Sequence, residues 1–355
     1  MNGRAHGHVL QPADNRVPRE KRAGTIVPMA GSSRKGPSLS PAAARVGAAA
    51  GGEQIVDALA GLPGSDFTSL MLEVARRRAA SQTPAEVLRR YRSDRFARPG
   101  GTSWQSLRWA EDLLARRLPA EFEILTLAPV VPLGTHSALA PVSQDKVLTT
   151  LRGVEVAADP TNALALESAV RRQSRPDETV RLAAFQRVVR AQQPGPGHAA
   201  HFSLLGLVTA GRDEGGGRRF QRQALAAHIG AMVAALAEAS REPVQLALTP
   251  LSPAGESLAA VIPGELPGAQ AEVITDTGRQ VGRAYYRELR FKINIKSDGA
   301  WAEVGDGGFT DWTAQLTANS RERLLITGIG IDRLVSLTAR PYRGALSSGS
   351  TRTTA

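Results

Sequence analysis

The stretch from residue 187 to residue 213 constrains the fold most, because it predicts a β-hairpin around a fixed turn. Residues 188–192 alternate apolar and polar side chains, as a half-buried strand does. Residues 202–209 are nearly all apolar, which is typical of a buried strand. Between them, residues 194–197 read PGPG and force a loop. The sequence therefore predicts two strands joined by a turn.

Three side chains around this hairpin suit a nucleotide. Arg190 and His198 stand at opposite edges of the loop, and Phe202 follows four residues after His198. A guanidinium and a second donor can bind phosphate, and an aromatic ring offers a face to a base. The alternative interpretation is an ordinary antiparallel hairpin with a charged rim. The hairpin taken alone favours that alternative.

The charge distribution limits the classes of partner. The chain of 355 residues has a formal net charge of +11, which suits a polyanion. Residues 1–50 hold eight Lys and Arg against two Asp and Glu, so the rest of the chain is only mildly basic. The chain contains no cysteine, which excludes disulfides, thiol nucleophiles and cysteine-ligated metals.

Composition also predicts the division of the chain. Residues 1–51 are poor in large apolar groups and predict a disordered basic tail. Residues 52–98 predict a small helical section that serves packing or docking, residues 99–343 the main domain, and residues 344–355 a flexible C-terminus. No apolar run approaches the ~18 residues of a membrane span, and the start of the chain lacks a signal-peptide core. We therefore expect no membrane association and a cytoplasmic location.

The predicted elements indicate an α+β domain. Its strands are separated by hairpins and long helices instead of regular βαβ units, which favours an antiparallel sheet. Gly305 to Gly308 predict a turn, and Thr83 with Glu86 predicts a capping box that starts a helix. The other predicted elements are helices at residues 53–80, 84–94, 163–171 and 220–240, a helix opening at 102–105, a short helix at 257–261, and strands at 122–127, 147–156, 244–249, 284–295, 301–304 and 324–331.

Several common templates are absent from the sequence. It contains no G-x-x-x-x-G-K-[ST], no H-E-x-x-H and no G-x-S-x-G. Gly328 and Gly330 form a G-x-G without a third glycine at dinucleotide-binding spacing. The chain is therefore not a P-loop protein, a zincin or an α/β-hydrolase.

The order of the motifs resembles the catalytic core of class II aminoacyl-tRNA synthetases over roughly residues 103 to 340. A helix and a strand ending in proline are similar to motif 1 of that class, and strand–loop–strand context surrounds the other segments. The matching pieces are Pro129 (or Pro132) for motif 1, residues 189–192 (VRAQ) for the F-R-x-E of motif 2, residues 198–202 (HAAHF) for the [R/H]-x-x-x-F after it, and residues 328–334 (GIGIDRL) for motif 3.

Within that class the chain is most similar to the histidyl branch. Residues 284–286 (AYY) resemble the end of its R-G-L-D-Y-Y segment, residues 307–311 (GGFTD) its G-G-R-Y-D, and residues 159–161 (DPT) lie where it has R-P-E-x-T. The resemblance implies a six- or seven-stranded antiparallel sheet flanked by helices. It also implies a site for ATP and an amino-acid-like carboxylate.

The resemblance assigns roles to individual residues. Arg190 would be the catalytic residue and hold the α-phosphate, with Gln192 beside it in motif 2. His198 would lie near the terminal phosphates. Phe202 would stack on adenine, while Arg333 would stack on its far face and reach the γ-phosphate.

The resemblance also implies a substrate site and a metal. Mg²⁺ would bridge the phosphates of ATP, with Glu155 or an acidic residue late in the chain as a ligand. The amino-acid-like substrate would contact Thr161, Tyr285, Tyr286, Gly307 and Gly308.

The sequence departs from the family pattern at several positions. Gln192 replaces the motif 2 glutamate, Val281 stands where R-G-L-D-Y-Y begins with arginine, and Phe309 and Thr310 replace an Arg-Tyr pair. The sequence after motif 3 is too short for an anticodon-binding domain, which needs ~100 residues. We therefore expect no ordinary charging of tRNA.

Three hypotheses remain open. The first is an ATP-dependent ligase that forms an acyl-adenylate and passes it to a small molecule, a carrier protein or a nucleic acid. The second is a non-catalytic regulatory subunit that binds a small ligand and a partner enzyme, as the synthetase-like subunit of ATP phosphoribosyltransferase does. The third is a structural or nucleic-acid-binding module. Arg190 and Arg333 favour the first hypothesis, and Gln192 favours the second. The mild charge of the folded part counts against the third. Separately, the resemblance to the family implies a homodimer.

Overall fold

The computed structural model describes residues 39–52, 54–193, 199–213, 218–266, 271–278 and 285–338. The chain divides into two units, Met1–Gly61 and Leu62–Ala355. In the first unit, helix α1 spans Pro41–Ala49 and α2 spans Gln54–Ala60. Helix α1 lies inside the predicted disordered tail, so that prediction was wrong there. The cause is local: the Ser40 hydroxyl caps the helix by accepting from the backbone N–H of Ala43, and proline follows it.

The helical section of the second unit consists of α3 (Gly64–Ala80) and α4 (Pro84–Ser93). The single helix predicted over residues 53–80 is divided between α2 and α3, because Gly61 and Pro63 interrupt it. The capping box at the start of α4 is confirmed: the Thr83 hydroxyl accepts from the Glu86 backbone, and the Glu86 carboxylate accepts from the Thr83 N–H at 2.9 Å. Neither helix contains a buried residue, so this section does not serve as a packed core element.

The described residues form one eight-stranded sheet and one two-stranded sheet. The strands are β1 (Glu123–Ile124), β2 (Val130–Pro132), β3 (Val154–Val156), β4 (Val180–Val189), β5 (His201–Arg212), β6 (Val244–Pro250), β7 (Ala271–Thr275), β8 (Tyr286–Ser297), β9 (Ala300–Thr310) and β10 (Glu322–Gly330). The large sheet has the order β1-β4-β5-β10-β9-β8-β6-β7, and only its two edge pairs, β1 with β4 and β6 with β7, are parallel. The predicted α+β fold with an antiparallel sheet is confirmed, and the short strands β2 and β7 are two that the sequence pattern did not predict.

Helices cover both faces of the large sheet. They are α5 (Trp104–Arg117), α6 (Thr135–Leu139), α7 (Pro160–Ser174), α8 (Arg219–Ser240), α9 (Pro253–Glu265), α10 (Trp312–Leu316) and α11 (Ile331–Thr338). Strand β5 is buried on both sides: Leu205 and Leu207 join one apolar core with α5, α8 and α11, whereas Val208 and Ala210 join a second core with α7 and α10. No helix among the described residues is long and apolar enough to cross a membrane.

Two predictions of local structure were wrong. The glycine-rich segment 305–308 is not a turn but the middle of β9. A Cβ on Gly307 would lie 2.5 Å from the carbonyl oxygen of Ile326, so glycine serves close strand packing there. The strands predicted at residues 122–127 and 147–156 are present only as the short β1 and β3.

A buried ion cluster ties α7 to the sheet. The Glu322 carboxylate, at the start of β10, accepts from Arg172 Nε at 2.8 Å and from Arg212 Nε at 2.6 Å. Burial raises the pKa of Glu322, but the hydrogen bonds from Arg172 and Arg212 outweigh burial and hold it below its ordinary value. The carboxylate therefore stays ionised and fixes α7 against β5 and β10.

Candidate functional site

The antiparallel pairing of β4, β5 and β10 brings three strand ends to one edge of the sheet, and β9 passes beside the end of β10 at Gly305. Val188 pairs with Phe202, and Leu204 pairs with Gly330, so β4 ends and β5 begins beside the end of β10. A cavity of about 1070 Å³ opens at this edge. Arg190, Phe202 and Arg333 all line it, so three predicted site residues from two distant segments lie around one cavity.

Arg190 directly follows β4, and its guanidinium is held from three directions. Its Nε donates to the carbonyl oxygen of Ala158 at 3.1 Å, and its Nη2 pairs with Asp159 Oδ2 at 3.4 Å. Its Cζ lies 5.1 Å from the centre of the Phe202 ring, a cation–π contact. These hydrogen bonds use two of the five N–H donors, which leaves others to meet an anion in the cavity.

Asp159 links Arg190 to the start of α7. Its Oδ1 accepts from the Thr161 backbone N–H at 2.9 Å and from the Thr161 hydroxyl at 2.7 Å. One carboxylate oxygen thus caps the helix while the other holds Arg190. Thr161 is buried and does not line the cavity, so its position is that of a helix-cap residue instead of the predicted substrate contact.

Glu155, predicted as a metal ligand, lies in a buried network instead. Its carboxylate accepts from the backbone N–H groups of Gly134 at 3.0 Å and His136 at 2.9 Å, and from the Gln144 side chain at 3.1 Å. Burial raises the pKa of Glu155, but these donors outweigh burial and keep it below its ordinary value. The carboxylate is ionised, already has donors on both oxygens, and does not line the cavity. This geometry favours a structural role, and the metal role of Glu155 stays a prediction.

His136 links Glu155 to Arg190 through hydrogen bonds to the backbone of Ala158. Its Nδ1 donates to Glu155 Oε1 at 2.6 Å, and its Nε2 accepts from the backbone N–H of Ala158 at 3.0 Å. This is the neutral ring with its proton on Nδ1, because a carboxylate only accepts and a backbone N–H only donates. Ala158 is therefore held at its N–H by His136 and at its carbonyl by Arg190.

Arg333 faces the cavity from the first turn of α11. Its side chain is exposed, its Nε donates to the carbonyl oxygen of Glu303 at 3.4 Å, and no carboxylate of the described residues forms an ion pair with it. Asp332 Oδ2 accepts from the backbone N–H of Ser203 at 2.7 Å, which fixes the start of α11 to β5. A Cβ on Gly328 would meet nothing within 4 Å, so the strand beneath Arg333 presents open space.

The remaining predicted residues that the structure describes do not line the cavity. Gln192 is exposed outside it, and His198 lies outside the described residues. The rings of Tyr285 and Tyr286 lie 4.4 Å apart, and Tyr285 packs 5.9 Å from Trp312, within the second core.

The two predicted substrate glycines serve strand packing. A Cβ on Gly308 would lie 2.7 Å from the Tyr286 ring, a clash as severe as the one already described for Gly307. Neither glycine lines the cavity. The structure therefore brings together Arg190, Phe202 and Arg333 of the predicted nucleotide residues, and none of the predicted substrate residues lines the cavity.

Three carboxylates that the sequence reasoning missed also line the cavity. Glu303 and Asp306 lie on β9, and Asp332 precedes Arg333 in motif 3. Glu303 pairs with Lys292 Nζ at 2.7 Å. The signal in the sequence was two acidic residues three apart around Gly305. Glu303 belongs to the strand predicted at residues 301–304, but the erroneous turn prediction placed Asp306 outside it. Together the cavity offers an aromatic face, two guanidinium groups and acidic groups.

Comparison with solved structures establishes the class of fold. No protein-family model matches the sequence, and no curated protein matches it. An ATP phosphoribosyltransferase regulatory subunit/histidyl-tRNA synthetase from Bacillus halodurans C is similar with a TM-score of 0.55 and 16% identity over 69% of this chain and 83% of that chain. The apo histidyl-tRNA synthetase of S. aureus gives a TM-score of 0.53 and 12% identity, over 68% and 73% of the two chains.

A histidine–tRNA ligase subunit from Alicyclobacillus acidocaldarius has a TM-score of 0.50 and 15% identity, over 68% of this chain and 96% of that one. The chain thus has the class II synthetase-like fold, in the form that histidyl-tRNA synthetases share. The fold prediction is confirmed. At these identities the similarity defines the fold and leaves the activity to be argued from the site.

The structural role of Glu155 is testable. We expect Glu155→Gln to lower the free energy of unfolding by about 1–3 kcal/mol, because the new amide would face donors where the carboxylate accepted. The measurement is urea denaturation, in EDTA and again with Mg²⁺. Glu178→Gln, in an exposed ion pair with Arg175, is the control and should change stability by less than about 0.5 kcal/mol. A loss that occurs with Mg²⁺ and vanishes in EDTA would contradict this role and support the metal assignment.

Proposed function

We propose that the cavity binds ATP with Mg²⁺. The observation that carries the proposal is the placement of Arg190, Phe202 and Arg333 around one cavity, at the edge where a class II synthetase-like sheet exposes its strand ends. Phe202 supplies an aromatic face for the purine, and the two arginines supply planar donor forks for the phosphates. Gly328 leaves room for a flat ring against the sheet.

The carboxylates of the cavity suit a metal that is shared with phosphate. Among the described residues, no group of three His, Cys, Asp or Glu side chains comes together as a preformed metal site. Mg²⁺ in nucleotide sites commonly takes one or two carboxylates and completes its shell with phosphate oxygens and water. We assign Glu303 and Asp306 as its candidate ligands in place of Glu155. The bound ion would neutralise phosphate charge.

The reaction that this site supports best is adenylate formation on an amino-acid-like carboxylate. The substrate carboxylate oxygen attacks the α-phosphorus, a new P–O bond forms, and the bond to pyrophosphate breaks. Arg190 stabilises the charge on the transferring phosphate, and no protein nucleophile takes part. The rigid mounting of Arg190 on Ala158 and Asp159 supports this role, because fixed donors need no reorganisation during the reaction.

The second candidate function is that of a regulatory subunit that binds a small ligand and a partner enzyme. It is favoured by the burial of the predicted substrate residues Thr161 and Tyr286, by the packing role of Gly307 and Gly308, and by the position of Gln192 outside the cavity. The same cavity would then hold a ligand without chemistry. The homodimer, the carrier or partner protein, the absence of tRNA charging and the cytoplasmic location stay predictions.

Calorimetric titration with ATP and Mg²⁺ tests the proposed site. We expect Arg190→Ala and Phe202→Leu each to weaken binding about tenfold or more, because a charge-assisted hydrogen bond contributes ~1.5–3 kcal/mol and base stacking a similar amount. Arg333→Ala should have a comparable effect. Arg175→Ala, which removes an equally charged side chain from an exposed pair at the C-terminal end of α7, is the matched control. Absence of binding by the wild type at millimolar ATP would rule out the proposal.

Pyrophosphate exchange separates the two functions. With ATP, Mg²⁺ and each amino acid in turn, an adenylate-forming enzyme incorporates labelled pyrophosphate into ATP, and Arg190→Ala should abolish the incorporation. Binding of ATP without exchange for any amino acid or related acid would favour the regulatory function. The positive control is a histidyl-tRNA synthetase assayed with histidine under the same conditions.

A further inference from the structure

The segment between α4 and α5 runs along the candidate nucleotide site, and we name residues 95–103 the strap. Its last part lines the cavity through Gly101, Thr102 and Ser103. Ser103 also fixes the end of the strap, because its hydroxyl accepts from the backbone N–H of Ser106 at 3.2 Å and so caps α5. The strap is therefore attached to the core at its C-terminal end.

The first residue of the strap holds the backbone that follows Arg190. The Arg95 guanidinium donates to the carbonyl oxygens of Ala191 and Gln192, the latter at 2.9 Å, and to the side-chain oxygen of Gln193 at 3.3 Å. A planar guanidinium can reach several acceptors at once, which a single ammonium cannot. Arg95 therefore binds the end of the first hairpin strand where it leaves the sheet.

The middle of the strap is joined to the second strand of the same hairpin. His201 Nε2 donates to the carbonyl oxygen of Arg98 at 2.6 Å, and His201 Nδ1 accepts from Arg187 Nε at 2.9 Å. A Cβ on Gly100 would lie 2.4 Å from Arg187 Nη2, so glycine lets the strap cross directly over that guanidinium. The strap thus contacts the end of β4, which leads into Arg190, and the start of β5, which pairs with it.

We propose that Arg95 is a positioning residue for the nucleotide site, which acts by fixing the backbone that carries Arg190. Two backbone hydrogen bonds define this position: Arg190 N–H donates to the carbonyl of Ala200 at 2.8 Å, and Ala191 N–H donates to that of Lys146 at 2.9 Å. Without Arg95, Ala191 and the residues after it lose their attachment to the strap. The functional consequence, weaker nucleotide binding, rests on the proposed function, whereas the fixing of the backbone does not.

Hydrogen exchange in the absence of nucleotide tests the fixing directly. In the full-length chain, Arg95→Gln should make the amide hydrogens of Arg190 and Ala191 exchange about tenfold faster, which corresponds to the loss of a charge-assisted hydrogen bond. Arg98→Gln is the matched control: it removes the same charge three residues away, but only the backbone carbonyl of Arg98 takes part in the contact. That variant should leave both amides unchanged.

Arg95→Lys separates positioning from a general effect on the fold. Lysine keeps the charge but lacks the fork, so it should restore part of the amide protection and part of any lost affinity for ATP, which we expect to be threefold to tenfold weaker in Arg95→Gln. The urea midpoint of all three variants should match the wild type. Unchanged amide exchange in Arg95→Gln, or an equal effect in Arg98→Gln, would overturn the proposal. Faster exchange in a protein that does not bind ATP would uphold the positioning role and reject the nucleotide function.

Discussion

The candidate site depends on the backbone of Ala158, which is hydrogen-bonded at both its N–H and its carbonyl oxygen. His136 accepts from the N–H of Ala158, and Arg190 donates to its carbonyl oxygen. The buried carboxylate of Glu155 orients His136, and Asp159, the next residue along, pairs with Arg190. Since each partner comes from a different segment, the guanidinium position is set by the small sheet, the start of α7 and the end of β4 together.

The register of the large sheet places the strands that line the other side of the cavity. Gly328 pairs with Gly206 on one side and with Asp306 on the other, so the strands from motifs 2 and 3 lie next to each other. Strand β5 is buried on both faces, which makes a shift in register costly because it would exchange the residues of the two cores. Strand pairing thus places Phe202 beside the end of β10, and α11, which carries Arg333, is fixed to β5 by the hydrogen bond from the Ser203 N–H to Asp332.

Local signals in the sequence were sufficient to predict features whose partners are close together in the chain. Thr83 and Glu86 predicted a helix start correctly because a capping box involves only four consecutive residues. Long-range partners were not predictable in that way: nothing near Glu155 in the sequence indicates that His136, nineteen residues earlier, will occupy its carboxylate. Gly307 led to the wrong prediction of a turn for the same reason. Glycine is required there because another strand approaches closely, and the neighbouring sequence does not show that approach. The hairpin indicated Arg190 and Phe202, and the resemblance to a family added Arg333, whereas Glu303 and Asp306 needed the sheet register.

The most direct measurement is whether Phe202 and Arg333 face the base of a nucleotide bound in this cavity. Photolabelling with 8-azido-ATP, followed by mass spectrometry of the peptides, measures that contact. We expect label on the peptides that contain residues 199–205 or 328–336, and we expect excess ATP to remove it. Label confined to other peptides, or label that excess ATP leaves unchanged, would rule out a nucleotide base at Phe202 and Arg333.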